Sequence, residues 1–482
     1  MTINTEGTVH STTEAYEKMA ELWELPKTLM GGERAMKNAA RKYLPQEPME
    51  SDDQYTNRLL RSTLKNFYKW AVENHTGRVF NKTIKLSDDT PDLIKDYNNN
   101  LDLMGNNINS FYRAVFRDML QKGISYVMVD YPRTTEDLTL ADEMENNFRP
   151  YTIHVKAEQV IQAIPANING RVVLARAHIL EELEVPDGRW TTKTMSQVRV
   201  LYPGSWELWR PTDNREWVIV DAGETSLPYI PLLPLYCVKT GFFQGSSNLQ
   251  TLADLNRAHW QSLSDQMNIT HVARVPILFG TGFDNEDDLQ VGSNSAILGP
   301  GGSELKYVEH SGAAIKAGLD ELKDIEERMM IESLEIINDN DYTASGKALD
   351  ISDSNSSLQD LALRLQDLIT NVNNVLCDWS GIEREGSAIV DTDFGLHMRD
   401  GSVANILLKM RQNGSLSLES FQKEMKRYSI LSPDHVIQAD IALLEEEKQK
   451  NMDQRKYLNE KGDQVVGDDE EDDLDTGKPR VE

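Results

Sequence analysis

Apolar residues recur at two different spacings along this chain, and the order of those spacings limits the fold more than any single motif does. From residue 10 to about 120 they recur every three or four positions, as in amphipathic helices. Residues 124–236 instead form short β-rich runs, separated by turn dipeptides such as Asn169-Gly170 and Asp187-Gly188. Helical spacing then returns from residue 246. A block of strands between helical segments predicts the α+β class.

Two segments ahead of the strands carry clear local helix signals. Residues 62–80 place apolar side chains at three- and four-residue spacing, and Gly77 indicates where that helix stops. Residues 109–121 repeat the spacing, and Gly123 follows two positions later. The run 124–130 is rich in β-branched and aromatic residues and therefore predicts a strand.

The second half of the chain predicts long helices around a small insert. Residues 246–273 and 313–337 have helical spacing, and the glycine-rich stretch 275–311 between them holds strand-like runs. Residues 338–356 are polar and lack a period, which predicts a loop ending at Ser357 as the N-cap of the next helix. That helix carries a heptad-like seam of apolar residues, which we interpret as part of the core or as a contact between subunits. The seam consists of Leu358, Leu361, Leu365, Leu368 and Val372.

The C-terminal part predicts shorter helices and a tail. Helical spacing covers 403–412 and 418–428, and Ser432-Pro433 predicts the start of a last helix. Residues 463–482 form an acidic segment, with eight acids and no base between Asp463 and Asp475. We expect this tail to be disordered.

The composition excludes several classes of protein. Acidic residues outnumber basic ones by 78 to 50, giving a net charge of −28, whereas ordinary DNA binding needs a basic surface. No apolar run reaches the length of about 18 residues that a transmembrane helix needs, and the N-terminus lacks the pattern of a secretory signal. Cys237 and Cys377 are too few for a disulfide framework. We therefore expect a soluble protein made in a reducing cytoplasm.

Catalytic and metal-binding motifs are missing from the sequence. It has no phosphate-binding P-loop, no nucleophile elbow and no HExxH metal motif. His259 lies on an apolar helix face and is interpreted as a packed histidine. Asp287-Asp288 and the acids of 468–473 are typical of solvated loops, and Cys377 of a buried thiol. We expect no catalytic residue, no metal site and no cofactor.

The order of elements and some local text resemble the portal (head-to-tail connector) proteins of tailed double-stranded DNA bacteriophages. The resemblance covers most of residues 55–445 and depends on order and spacing rather than on one catalytic motif. The segments that carry it are Leu64–Trp70 with Gly77–Phe80, Leu252–Trp260 with Arg274–Leu278, and Met410–Gly414 with 417–427.

This resemblance implies an elongated α+β fold of several segments. They are a wing at 1–245, helical at first and β-rich at 124–236; stem helices at 246–274 and 313–337; a small α/β clip at 275–312; a tunnel loop at 338–357; a return to the wing, with a long helix, at 358–401; a helical crown at 402–462; and the tail at 463–482.

The resemblance also implies a role and partners. Portals form rings, usually dodecamers, at one capsid vertex, where double-stranded DNA passes through the axis without sequence specificity. They seat the terminase large subunit, contact capsid and scaffolding proteins, and later hold the head-tail adaptor. A portal would be assembled in the host cytoplasm, would be located in the virion, and would need no membrane, enzymatic activity or cofactor.

Charge in two segments fits this role. The segment 313–337 has seven acids and three bases, and acids lining a channel would repel DNA so that it slides. Equally, such a helix face could simply be solvated. Lys347 is the only base of 338–357 and could meet passing phosphates or be an ordinary surface lysine. The channel-lining candidates are Asp320, Glu321, Asp324, Glu327 and Lys347.

Two other functions remain open. An acidic soluble hydrolase would use a pair of carboxylates as acid and base, and would be a monomer or dimer with a closed pocket. Another virion component, such as a head-tail adaptor, would be smaller and would lack the stem-clip-stem order.

Overall fold

A computed structural model describes the chain in several ranges. These are 8–132, 148–212, 214–274, 277–281, 302, 304–308, 312–333, 344–392, 394, 401–427, 430–432 and 435–462. The contacts divide the chain into two compact units, Met1–Phe394 and Gly395–Glu482. The predicted acidic tail at 463–482 lies outside the described residues.

The first unit combines helices with antiparallel sheets, which confirms the α+β class. Its helices are α1 (Glu14–Met30), α2 (Gly32–Ala39), α3 (Asp52–Arg61), α4 (Phe67–Val79), α5 (Asp92–Tyr97), α6 (Ile108–Lys122), α7 (Gln250–Ala273), α8 (Ala313–Glu332) and α9 (Ala344–Ser380). Its strands are β1 (Lys85–Leu86), β2 (Ile124–Asp130), β3 (Tyr151–Val155), β4 (Val160–Ile168), β5 (Arg171–Asp187), β6 (Thr191–Tyr202), β7 (Ser205–Pro211), β8 (Trp217–Glu224), β9 (Leu232–Tyr236), β10 (Val238–Gly241), β11 (Gln244–Ser246), β12 (Ile277–Thr281), β13 (Glu304–Val308) and β14 (Ala388–Ile389).

Two sheets form the β-rich part. One has the order β3-β2-β9, with the buried strand β2 in the middle, and the other is a meander in the order β4-β5-β6-β7-β8. Every pairing in both sheets is antiparallel. The predicted block of strands between helical segments is therefore confirmed.

The junction between α6 and β2 shows how local sequence fixes an element boundary. Asn107 caps α6 by accepting a hydrogen bond from the Ser110 amide, and Gly123 ends the helix in the left-handed region, with φ of 80°. A Cβ at Gly123 would lie 2.2 Å from the Ser246 carbonyl carbon. Both the backbone conformation and the close approach thus require glycine, and the predicted helix and strand are confirmed to within one residue at each end.

The main core lies where α4, α6, α7 and α9 pack against β2 and β9. Its largest fully buried side chains include Tyr68 of α4, Tyr112 of α6 and Trp260 of α7. Complete burial of one such side chain stabilises the fold by about 1.5–3 kcal/mol. The apolar stripes predicted for these helices therefore face one another inside the unit.

The helix predicted at 62–80 is shorter in the structure, since α4 begins at Phe67. Ser62 to Asn66 leave the helical conformation because a buried amide holds this segment: Asn256 of α7 donates to the Lys65 carbonyl oxygen at 2.9 Å and accepts from the Tyr68 amide at 3.0 Å. Asn66 then caps the helix. At the other end the helix continues through Gly77 to Val79, so that stop prediction was wrong.

The loop predicted at 338–357 is wrong from Ala344 onward, because α9 already begins there. Residues 338–343 lie outside the described residues. The physical reason is cooperativity: the apolar seam downstream provides the nucleus, and each added polar residue gains one hydrogen bond without a new nucleation cost. After Gly346 no glycine or proline interrupts the chain until Gly381. Ser357 accordingly lies inside α9 and is not its N-cap.

The remaining segments agree with prediction in part. The insert after α7 contains the antiparallel pair β12–β13, and the rest of the predicted α/β insert falls mainly outside the described residues. The second unit contains α10 (Gly401–Gln412), α11 (Leu418–Arg427) and α12 (Ile437–Gly462). The last of these begins later than Ser432-Pro433, so that predicted start was wrong.

Candidate functional site

The antiparallel pair of α7 and α8 is the feature on which the functional interpretation depends. Gln266 of α7 donates to the Ile315 carbonyl oxygen of α8 at 2.9 Å, and further along the pair His259 meets Glu326. A Cβ at Gly318 would lie 2.2 Å from the Gln266 Oε1 atom, so a larger residue there would displace the end of that side chain. The two helices therefore run side by side over most of their length, joined through the insert that contains β12 and β13.

A charged cluster locks this pair to the helical part of the unit. Glu326 Oε1 of α8 accepts hydrogen bonds from His259 Nε2 at 3.0 Å and from Lys65 Nζ at 2.6 Å. His259 is fully buried and also meets the edge of the Phe67 ring, with ring centroids 6.3 Å apart. One carboxylate thus joins α7, α8 and the segment that leads into α4.

The pKa values follow from this arrangement. Burial lowers the pKa of His259, although the hydrogen bond to Glu326 partly opposes it. For Glu326, partial burial raises the pKa, but the hydrogen bonds from Lys65 and His259 outweigh that effect and leave the pKa below its usual range. Because Nε2 donates to a carboxylate, the neutral form of His259 carries its proton on Nε2.

A second ion-pair cluster anchors α7 from the other side. The buried guanidinium of Arg58 in α3 binds both oxygens of Glu50, at 2.8 Å each. It also donates to the Pro45 carbonyl oxygen at 2.7 Å and to Asp265 of α7 at 3.3 Å. Such a multiply bonded planar cation fixes both distance and orientation.

The predicted channel-lining acids occupy the outer side of α8. With about 100° between successive helical residues, Asp320, Asp324 and Glu327 form one exposed stripe, opposite the side that carries Gly318, Leu322 and Met329. Lys316 and Lys323 lie on the same stripe, and Asp324 pairs with Arg328 at 2.8 Å. Glu321 lies to one side, at a groove between the two helices. The exposed stripe is therefore less acidic than the composition of the helix suggests.

The structure separates the other predicted residues from this stripe. Lys347 lies in the first turns of α9, not in a loop. The seam residues Leu358, Leu361, Leu365, Leu368 and Val372 are all buried in the main core of the first unit. Being packed within the subunit, these five side chains are not available for contact between subunits.

One polar cluster outside the helix pair has the residue types of a catalytic triad but not its geometry. Ser125 Oγ lies 2.9 Å from His154 Nε2, and Asp118 Oδ2 lies 3.7 Å from that same nitrogen. A triad requires the carboxylate at the opposite ring nitrogen. Ser125 is also fully buried, and Asp118 pairs with Lys122 at 2.8 Å. The cluster therefore holds α6 to β2 and β3.

Other reactive groups in the described part of the chain are equally inert. Cys237 and Cys377 are free and buried, and burial raises the pKa of the Cys237 thiol to about 11. Among the described residues, no three or more His, Cys, Asp or Glu side chains form a group that could hold a metal ion. None of the described helices combines the length and the apolar character needed to cross a membrane. The Asp287-Asp288 pair and the acids of 468–473 lie outside the described residues.

Sequence reasoning missed the Lys65–Glu326–His259 cluster, although all three residues lie in segments that it identified. His259 was correctly interpreted as a packed histidine. Its partner carries no local signal, since Glu326 is one of seven acids in 313–337. Only its helical position, on the side facing α7 rather than on the outer stripe, could have distinguished it.

Comparison of the sequence with known proteins gives two results. The family described as a domain of unknown function, DUF4055, matches residues 248–380, which include the whole of α7, α8 and α9. No curated protein matches the chain.

The chain also shows weak likeness to solved structures of gene transfer agent (GTA) particles. One, from the neck of the native particle with C12 symmetry, has a TM-score of 0.41 at 11% identity, covering 81% of this chain and 98% of the other. A chain from the virion of the native particle has a TM-score of 0.42 at 10% identity, covering 75% of this chain and 89% of the other. A chain from the neck of the empty particle, with C6 symmetry, has a TM-score of 0.40 at 11% identity, again covering 75% of this chain and 89% of the other. TM-scores this low do not establish a shared fold.

Proposed function

We propose that this chain is a portal protein of a tailed phage or phage-like particle, a non-enzymatic ring subunit at one capsid vertex. In this proposal α7 and α8 are the stem, the insert with β12 and β13 is the clip, and the sheets with the N-terminal helices are the wing. Residues 338–357 are the tunnel segment, and the second compact unit contains the crown. DNA passes through the ring axis, terminase docks during packaging, and an adaptor binds afterwards.

The observation that carries the proposal is the helix pair with its insert, in the order that the resemblance predicts. Helices α7 and α8 are antiparallel, are separated only by a segment containing a two-stranded β pair, and are followed by the long α9. The clusters around Glu326 and Arg58 fix the pair to the rest of the unit. A rigid pair of antiparallel helices of this kind suits the wall of a channel.

The charges of the outer stripe suit the passage of DNA. Asp320, Asp324 and Glu327 alternate there with Lys316 and Lys323, so each subunit presents acids and bases in near balance, with a small acidic excess. Exposed charges of this kind interact with phosphates by at most about 1 kcal/mol each in physiological salt. Repeated around a ring, this gives a wall that neither binds DNA tightly nor blocks it. Lys347, at the start of α9, is proposed as the cationic contact.

Negative-stain microscopy and native mass spectrometry of the purified full chain test the proposal directly. We expect a ring with a central hole, containing about twelve copies. A species that stays monomeric or dimeric across micromolar concentrations would contradict a portal and favour the hydrolase alternative.

An adaptor could also form a ring, so a second experiment separates it from a portal. Because a portal acts before and during packaging, particles lacking this chain should be empty of DNA. Loss of an adaptor, which joins after packaging, should instead leave filled heads without tails. Filled heads in the absence of this chain would contradict the portal assignment.

A further inference from the structure

A groove runs between α7 and α8 on one side of the helix pair. Its volume is about 610 Å³, within the usual range for clefts that receive a ligand. Small residues from both helices make up much of its lining, among them Ala258, Ser262, Ala317 and Gly318. We call it the Gly318 groove. Because these residues are small, the groove leaves room for larger apolar side chains from outside the subunit.

The wall of the groove carries a hydrogen-bond acceptor without a partner. Gln266 is only 6% exposed, and its Nε2 atom donates to the Ile315 carbonyl oxygen at 2.9 Å. Its Oε1 atom has no hydrogen-bond partner among the described residues and lies beside Gly318, at 2.2 Å from the position of a Cβ there. Since Gly318 has no side chain, nothing of that residue covers this oxygen. An occupant of the groove with an O–H or N–H group would satisfy the acceptor, whereas a purely apolar occupant would leave it unpaired at a cost.

The charge of the groove has one sign. Asp265 and Glu321 line it, and none of its described lining residues is basic. Partial burial raises the pKa of Asp265, Arg58 lowers it, and nearby carboxylates that include Glu321 raise it again. The Arg58 contact, at 3.3 Å, therefore does not remove the excess of negative charge. An occupant that brings a cation is favoured.

The opposite side of the helix pair carries apolar side chains next to a cation. With about 100° between successive helical residues, Leu319 and Met330 lie on the side of α8 that is next to Glu326, opposite to Ala317 and Glu321. They are 47% and 36% exposed. Two exposed residues of the segment before α4 border them on this side. We call the four residues Thr63, Lys65, Leu319 and Met330 the Leu319 face.

The face and the groove lie at the same height along the helix pair. Leu319 directly follows Gly318 in α8, and Lys65 Nζ binds Glu326 at 2.6 Å, close to the groove residue Ile325. Thr63 Oγ1 lies 3.5 Å from the Met267 sulfur, a weak acceptor, in the residue after Gln266. Copies in a ring are related by rotation about its axis. If the helix pair runs along that axis, as a stem would, groups at equal heights meet.

We propose that the Leu319 face of one subunit packs into the Gly318 groove of the next copy of this chain. The apolar side chains then lie on the small residues, Lys65 pairs with Glu321, and Thr63 Oγ1 donates to Gln266 Oε1. Because face and groove are on opposite sides of the pair, the contact is head-to-tail and generates a ring when its rotation closes. The outer stripe lies between them on α8 and stays free to face a channel. The inference thus deepens the proposed function and rests on it.

Cysteine cross-linking tests both the contact and its direction. The double variant Leu319→Cys and Ser262→Cys places one thiol on the face and one in the groove, too far around the helix pair to join within a subunit. On oxidation we expect a ladder of disulfide-linked species that extends beyond the dimer to the full ring. A two-fold contact would stop at the dimer and would contradict the proposal. The native cysteines are buried and give little background.

The control for this experiment combines Ser262→Cys with Ile331→Cys. Ile331 is 62% exposed on the same helix but lies on the side of the outer stripe, so this variant should give no ladder. A ladder of equal yield in the control would show that the disulfides form by chance collision, and would overturn the proposal.

A second measurement compares subunit association in single variants. Leu319→Ala should weaken association at least tenfold, as removal of a central interface side chain does, and Ile331→Ala less than twofold. Thr63→Val keeps the shape of the side chain but lacks the O–H donor, and should weaken association about threefold. Equal effects of the two alanine variants, or wild-type rings whose double-cysteine variant forms no ladder, would overturn the contact while leaving the portal proposal intact. A wild-type chain that forms no ring would overturn both.

Discussion

Glu326 and Glu327 are neighbours on α8 with opposite surroundings, which makes them a matched pair for testing how the helix pair is locked. Glu326 accepts from Lys65 and from the buried His259, whereas Glu327 is exposed on the outer stripe. Glu326→Ala would leave the His259 Nε2–H group buried without an acceptor, at a cost of about 1–3 kcal/mol. Loss of the exposed Lys65 contact adds at most about 1 kcal/mol. Glu327→Ala should change stability by no more than about 0.5 kcal/mol.

Native-state hydrogen exchange of the α8 amides is the suitable assay, because it reports local opening of the helix rather than global unfolding. At pH 7 we expect Glu326→Ala to lower the free energy of opening by about 2–3 kcal/mol, and Lys65→Ala by less than about 1 kcal/mol. The difference between these two variants measures the buried His259 contact. Equal effects of Glu326→Ala and Glu327→Ala would refute the lock, because the two substitutions remove the same side chain from adjacent positions.

Four further predictions follow from individual residues and segments. Leu365 is 0% exposed and Leu363 is 47% exposed on the same helix, so in urea unfolding Leu365→Ala should cost about 3–5 kcal/mol and Leu363→Ala about 0.5 kcal/mol or less. Burial lowers the pKa of His75 to about 4, so between about pH 6.5 and 4 the unfolded chain binds more protons than the folded one. The free energy of unfolding should therefore fall by up to about 3 kcal/mol as the pH drops through this range. His75→Leu should make the free energy of unfolding less dependent on pH there. Lys347→Glu should leave ring formation normal but reduce the length or retention of packaged DNA; full-length genomes in the variant would remove Lys347 from the mechanism. Deletion of 463–482 should leave ring assembly intact by native mass spectrometry, because the segment has almost no apolar surface to bury.

Elements with strong local signals could be predicted closely from the sequence. Helix α6 and strand β2 agree with prediction because an asparagine cap, a helical stripe and Gly123 all act within a few residues of the boundary. The start of α9 could not be predicted in the same way. Its first turns are rich in Ser, Asp and Asn, which on their own favour turns, and they are helical because they extend a helix nucleated by the buried seam.

The residues that hold the candidate site together depend on contacts that are distant in sequence. His259 and Glu326 are 67 residues apart, and Lys65 and Glu326 are 261 apart. Their meeting follows from the antiparallel packing of α7 on α8 and from the extended segment before α4. Neither is encoded by a local pattern, so an acid that stabilises the fold and an acid on the outer stripe look alike in the sequence.

In the proposed portal, this distinction changes what the acidity of α8 would mean for DNA passage. The seven acids of 313–337 suggest a strongly negative wall, but Glu326 is committed to Lys65 and His259, and Asp324 to Arg328. On the outer stripe, the positive charges of Lys316 and Lys323 then equal in number the negative charges of Asp320 and Glu327. A wall with strong negative charge would oppose the entry of DNA at every subunit, and a positive wall would hold it through counterion release. The near balance of this stripe avoids both, so in the proposed portal the sliding of DNA would depend on the pairing within α8 rather than on its composition.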